Sequence, residues 1–167
     1  MEPSAPPEKP PTHKIGLGNL VATAKLGESL ARCLKSGDLI LLYGDLGAGK
    51  TTLARALINA AQRSAGEKME DVPSPTFTLV QNYNAGSLMI THADLYRLEN
   101  CADVAELGLE DALDDGVVII EWPNRLSYPL SSDRLEIYFS GMNDKRCAEI
   151  IAYGCWQNRL AQIKSCA

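Results

Sequence analysis

The residues best placed to do chemistry stand in one run, Gly44-Asp45-Leu46-Gly47-Ala48-Gly49-Lys50-Thr51, followed by Thr52. The pattern is G-x-x-x-x-G-K-T, and its order follows from what a bound anion requires. Glycines let successive backbone N–H groups turn toward one point, and a helix that begins there adds the positive end of its dipole. The spacing assigns Asp45, Leu46, Gly47, Ala48, Gly49, Thr51 and Thr52 to a phosphate cradle, with Lys50 reaching the β and γ phosphates and the Thr51 hydroxyl holding Mg²⁺. Charge-assisted hydrogen bonds contribute about 1.5–3 kcal/mol each, so a few amides and Lys50 can supply the roughly 8 kcal/mol of micromolar affinity.

A cradle of this kind needs a second acid, at the end of a neighbouring strand, to complete the Mg²⁺ site or position water. Two candidates exist. Glu121 ends the apolar run Gly116-Val117-Val118-Ile119-Ile120, the hydrophobic-run-then-acid form of a Walker B element. Asp94 ends the strand-like Leu88–His92 segment and sits in Thr91-His92-Ala93-Asp94-Leu95-Tyr96-Arg97. His92 reads as a structural residue or a support for a ligand rather than as a ligand itself. Pro73-Ser74-Pro75-Thr76 is a stiff, hydroxyl-bearing loop, and Thr76 is placed to sense a γ phosphate.

These groups must be held by ordinary elements. Asp38–Tyr43 is short, apolar and glycine-bounded, a buried strand running into the glycine loop, and Thr52–Arg63 carries helical spacing at Leu53, Leu57, Ala60 and Ala61. A helix capped by Asn19 precedes them, with Gly37 as its stop. Downstream, the pattern gives a strand over Phe77–Tyr83 and a turn at Asn84-Ala85-Gly86. Two short helices follow, at Cys101–Leu107 and Leu109–Asp115. Strands at Arg134–Ser140 and Arg146–Tyr153 flank a turn at Gly141–Asp144, and a final helix spans Cys155–Lys164. The expectation is an α/β domain of the P-loop NTPase fold over residues 14–167, with a mixed central β-sheet flanked by helices. Residues 1–13 hold five of the nine prolines and little to bury, which predicts a disordered tail that contributes neither fold nor activity.

Length and charge narrow the functional classes. A chain of 167 residues suits a single domain with an ordinary core, and 16 basic against 21 acidic residues give a net charge of −5. That sign is wrong for a broad nucleic-acid-gripping surface, so contact with nucleic acid should be local or indirect. Five cysteines, Cys33, Cys101, Cys147, Cys155 and Cys166, form no C-x-x-C pair and read as reduced thiols of a cytoplasmic protein. No run is long enough to span a bilayer, and no signal-like stretch opens the chain.

Taken together, GDLGAGKTT (44–52), SPTFTLVQNY (74–83), HADLYRL (92–98), ELGLED (106–111) and IIEWPNRL (119–126) resemble the TsaE family, also called YjeE, over residues 19–160. The resemblance implies a small P-loop ATPase that uses ATP and Mg²⁺ in making the threonylcarbamoyladenosine modification of tRNA. It implies a TsaB–TsaD-type protein complex as partner, with tRNA contacted only indirectly. It carries over Lys50 and Thr51 as phosphate and Mg²⁺ ligands, Glu121 as the Walker B-like Mg²⁺ residue, and Thr76 and Asp94 as switch and hydrolysis residues. Trp122 matches the family's Glu-Trp pair and is assigned to the nucleotide, although a tryptophan there could equally be core packing. Ala93 and Asn124 depart from the commonest pattern, which puts only partner contacts in question. Two other readings stay open, a small-molecule kinase of the P-loop class and a nucleotide-gated binding module in which hydrolysis only resets the protein. Arg97 and Arg125 lie near the acids but form no arginine-rich lid. A GTPase would carry D-x-x-G and N-K-x-D motifs, and Asn143-Asp144-Lys145 has the wrong order.

Overall fold

Continuous apolar runs along the central strands require two covered faces, and the computed structural model, which describes residues 10–127 and 130–164, provides them. The elements in order are β1 (Thr12–Gly16), α1 (Leu20–Cys33), β2 (Leu39–Tyr43), α2 (Lys50–Ser64), β3 (Val80–Ala85), β4 (Leu88–Asp94), α3 (Cys101–Ala105) and α4 (Leu109–Asp115). They continue with β5 (Gly116–Glu121), β6 (Arg134–Ser140), β7 (Cys147–Ala152) and α5 (Trp156–Lys164). One seven-stranded sheet runs β1-β7-β6-β2-β5-β4-β3. Its centre, β6-β2-β5-β4, is parallel, while β3, β7 and β1 join antiparallel. The mixed α/β architecture expected from the sequence is therefore the observed one.

Side chains alternate across β2: Ile40 and Leu42 enter the cluster that also holds α1, α2 and α5, while Leu39 and Leu41 enter the cluster under α3 and α4. Gly27 has a packing role that the helical pattern alone does not announce. A Cβ there would lie 2.7 Å from Ala56 Cβ, so its absence sets how closely α1 approaches α2. Asn19 caps α1 by accepting from Ala22 N at 2.9 Å. Behind the sheet, Arg159 of α5 makes a buried bidentate pair with Asp38, at 2.6 and 2.7 Å, and donates to Cys33 O. One guanidinium thus ties the end of α1 and the approach to β2 to the C-terminal helix.

Three expectations are corrected by the fold. Thr12 and His13 are not tail but the first residues of β1, paired with Ile151 and Ile150 of β7; residues 1–9 lie outside the described residues. An exposed edge strand with Lys14 at its centre carries little local signal, and its partner lies far along the chain. The strand expected over Phe77–Tyr83 begins only at Val80. Leu79 N donates to Pro75 O at 2.6 Å and Leu79 takes a left-handed φ of 65°, so residues 76–79 form a turn and Phe77 is 85% exposed. The first of the two short helices stops at Ala105 rather than Leu107.

Candidate nucleotide site

Parallel strands place their carboxyl ends along one edge, and the crevice beyond that edge is where open α/β sheets hold ligands. Here β2, β5 and β4 end side by side. Leu42 is in register with Glu121, and Glu121 with Asp94, so the glycine loop and both candidate acids must converge. The resulting cavity, about 370 Å³, is lined by Leu46 to Thr52, Ser74, Thr76, Asp94, Tyr96, Glu121, Trp122 and Arg146. Asp45 faces an adjoining cavity, and its carbonyl helps hold Lys50.

The loop has the backbone an anion cradle needs. Gly49, the residue before α2, has φ +110°, a conformation that side-chain-bearing residues rarely adopt. The first turn of α2 then begins at Lys50, with its amides facing the loop's interior. Lys50 is 4% exposed and donates to Gly44 O at 2.7 Å and Asp45 O at 2.9 Å. Burial pulls its pKa below the ordinary lysine value, while the charges of Glu121, Asp94 and Asp45 push it back up. Carbonyls are weaker partners for an ammonium than phosphate oxygens, so this lysine is poised for an anion.

Thr51 Oγ1 donates to Glu121 Oε2 at 2.9 Å, joining the two residues assigned to a metal across α2 and β5. His92, fully buried, contacts the other oxygen, Glu121 Oε1, through Nε2 at 2.9 Å. His92 Nδ1 is buried and has no hydrogen-bond partner among the described residues, so the tautomer that protonates Nε2 and donates to Glu121 leaves the smaller penalty. His92 therefore fixes the carboxylate's rotation and leaves Oε2 toward Thr51 and the cavity. A hydroxyl and a carboxylate are the hard oxygen donors that suit Mg²⁺, which takes few protein ligands and completes its shell with water and phosphate. Among the described residues no group of three or more His, Cys, Asp or Glu side chains could enclose a metal. Cys33, Cys147 and Cys155 form no disulfide among the described residues, and Cys166 and the Cys101 side chain lie outside what is described.

Asp94 is engaged differently. Its Oδ2 accepts from Thr76 Oγ1 at 2.7 Å and Ser74 Oγ at 2.9 Å, and its Oδ1 accepts from Tyr96 N at 2.9 Å. The loop turn described above is what carries Thr76 to it. Trp122 adopts φ 59°, ψ 48°, a strained choice for a large side chain. Its ring lies 3.9 Å from Lys50 Nζ and 4.9 Å from the Tyr96 ring, while its edge also packs on the core under α4. Trp122 thus lines the cavity beside Lys50 and packs on the core at the same time.

The arginines near the acids do not enter the cavity. Arg97 lies over the Phe77 ring at 5.0 Å, and Arg125 is exposed. The arginine that does enter is Arg146, from the turn between β6 and β7, whose Nη2 reaches Gly47 O at 3.4 Å. It belongs to no local motif, and only the pairing of β6 with β2 brings it to a loop about a hundred residues away. Ser74, within the Pro-Ser-Pro-Thr run, adds a second hydroxyl to Asp94, a contact that its position in the sequence does not announce.

Known proteins resemble this chain over most of its length. The model of the family described as "Threonylcarbamoyl adenosine biosynthesis protein TsaE" matches residues 17–148. A tRNA threonylcarbamoyladenosine biosynthesis protein TsaE from Rickettsia conorii is 41% identical over 130 residues, 77% of this chain and 72% of the relative. The protein of the same name from Nostoc is 39% identical over 156 residues, 90% of this chain and 93% of the relative. The crystal structure of YdiB from Bacillus subtilis superposes with a TM-score of 0.75 at 27% identity, covering 95% of this chain and 97% of that one.

Proposed function

This chain belongs to the TsaE family of threonylcarbamoyl adenosine biosynthesis proteins, and from that premise we propose that it binds ATP with Mg²⁺ and hydrolyses it in service of that tRNA modification. The observation that carries the reading is the 2.9 Å bond between Thr51 Oγ1 and Glu121 Oε2, which brings a P-loop hydroxyl and a strand-end carboxylate to one point beside Lys50. Mg²⁺, when bound, would neutralise charge developing on the transferred phosphoryl group. Thr51 and Glu121 would hold it, the loop amides and Lys50 would bind the phosphates, and Trp122 would cover Lys50 from the open side.

Hydrolysis by the isolated chain is expected to be slow. Asp94 is held by the hydroxyls of Ser74 and Thr76 and by Tyr96 N, so it must be released, or the loop must turn, before it can orient water. Among the described residues the cavity has one arginine and no arginine-rich lid. A TsaB–TsaD-type complex is the proposed partner that completes the site, with the net charge of −5 favouring indirect contact with tRNA. In other P-loop systems such completion changes turnover by roughly 10³–10⁵. Thr76 would report the γ phosphate by leaving Asp94, making the ATP form the tighter binder of the complex.

The test is phosphate release by the purified chain with and without a TsaB–TsaD pair, together with the affinity of the ATP and ADP forms for that pair. Stimulation and a preference for the ATP form support the reading. An unstimulated rate with equal affinities rejects it, and rapid transfer of phosphate to a small metabolite would identify a kinase instead.

A further inference from the structure

Lys50 is the cation that the motif supplies, but the cavity also holds two carboxylates, Asp94 and Glu121. With Lys50 alone the formal charge of the lining is negative before a polyphosphate arrives. Arg146 balances it. Its Nη2 makes only a long contact, 3.4 Å, to Gly47 O, and its Nε is buried without a hydrogen-bond partner. No carboxylate pairs with it among the described residues, although three of the other arginines, Arg63, Arg134 and Arg159, have such partners. A buried Nε–H without an acceptor is costly unless a ligand completes it, and the planar guanidinium fork, open to the cavity, matches phosphate oxygens two at a time.

Its position is fixed from behind. Leu17 N donates to Arg146 O at 2.7 Å, and Arg146 N donates to Asn143 O at 3.2 Å, so the backbone that carries the guanidinium is tied to the segment after β1 and to its own turn. The side chain packs over Gly49, where an added Cβ would lie 3.6 Å from both Cδ and Nη1. Arg146 also borders the second cavity, about 220 Å³, between Leu46–Ala48 and Phe139–Asn143. It stands where the phosphate cradle opens toward the end of β6.

We propose that Arg146 is a polyphosphate-binding residue, a second cation that grips the phosphates of a nucleoside triphosphate from the β6–β7 side of the cradle. This rests on the nucleotide reading above and adds to it a ligand that the motif does not contain. Calorimetry on the full chain tests it, with ATP and inorganic triphosphate as ligands and with Lys50→Ala, Arg146→Ala and Arg146→Gln as variants. Glutamine keeps part of the packing over Gly49 without the charge or the fork. Both Arg146 variants should bind ATP and triphosphate at least about tenfold more weakly. Their nucleotide-free melting temperatures should stay within a few degrees of the parent, because truncation removes an unpaired buried donor. If Lys50→Ala loses affinity while both Arg146 variants keep it, the proposal falls and the nucleotide reading stands. If the parent chain binds neither ligand, both fall. Weakened ATP binding with unchanged triphosphate binding would move Arg146 to the sugar or base and overturn a phosphate role. So would a large drop in melting temperature for Arg146→Gln.

Discussion

Replacing Glu121 by glutamine separates binding from chemistry. The carboxylate is 2% exposed and uses each oxygen once, Oε2 for Thr51 and Oε1 for His92. A carboxamide keeps the volume but has one acceptor. If its NH₂ faced His92, the imidazole would have to accept at Nε2 and carry a proton on the unpartnered Nδ1, at a cost of about 1–3 kcal/mol. Glutamine should therefore keep its oxygen on His92 and turn NH₂ toward Thr51 and the metal position. The folded chain loses about one charged hydrogen bond, roughly 1.5–3 kcal/mol, which at this size lowers the melting temperature by about 3–12 °C. The loop amides and Lys50 are untouched, so ATP affinity should stay within about fivefold, while turnover should fall at least about a hundredfold, because charge stabilisation is lost where it grows in the transition state. Single-turnover phosphate release at saturating ATP and Mg²⁺, beside calorimetry, reads both quantities. Turnover within about threefold of the parent would refute the reasoning, and if Asp94→Asn then abolished it, the two acids would have exchanged roles.

Two further perturbations test the frame around the site. Arg159→Ala leaves Asp38 buried without its guanidinium, which should cost about 3–5 kcal/mol and lower the melting temperature by roughly 6–20 °C; a change of only a degree or two by circular dichroism would contradict the pairing. Tyr138 donates to Glu136 Oε2 at 2.8 Å, and burial first, then Glu136, raises its pKa well above the ordinary tyrosine value. Above about pH 10 the unfolded chain releases that proton while the folded chain keeps it, so stability should decline as pH rises from there. Melting followed from neutral to alkaline pH should decline less steeply in Tyr138→Phe, and parallel profiles would refute the assignment.

What the sequence made legible was local. Glycine spacing, an apolar run and a strand-end acid are each contained in a few residues, so the loop from Gly44 to Thr51, β2, β5 and Glu121 could be placed before any tertiary contact was known. Features created by long-range pairing were not legible. Arg146 reaches the cavity because β6 lies beside β2, and β1 exists because β7 offers it an edge. The His92–Glu121 contact likewise depends on β4 and β5 pairing in one register, in which Asp94 meets Glu121. The Phe77–Leu79 stretch misled for the opposite reason. Its alternation is that of a strand, but the Pro75 carbonyl captures Leu79 N and closes a turn that delivers Thr76 to Asp94.

Whether the cradle is an ATP site whose affinity depends on a buried cation is decided by calorimetric titration of ATP with Mg²⁺ into the parent chain and Lys50→Ala. Among the described residues Lys50 contacts two carbonyls and the Trp122 ring, and its burial disfavours its charge, so its removal should leave the fold intact. The parent should bind, and Lys50→Ala should lose at least about tenfold in affinity, 1.4 kcal/mol or more, while still melting cooperatively. Equal affinity of the two folded proteins would contradict it.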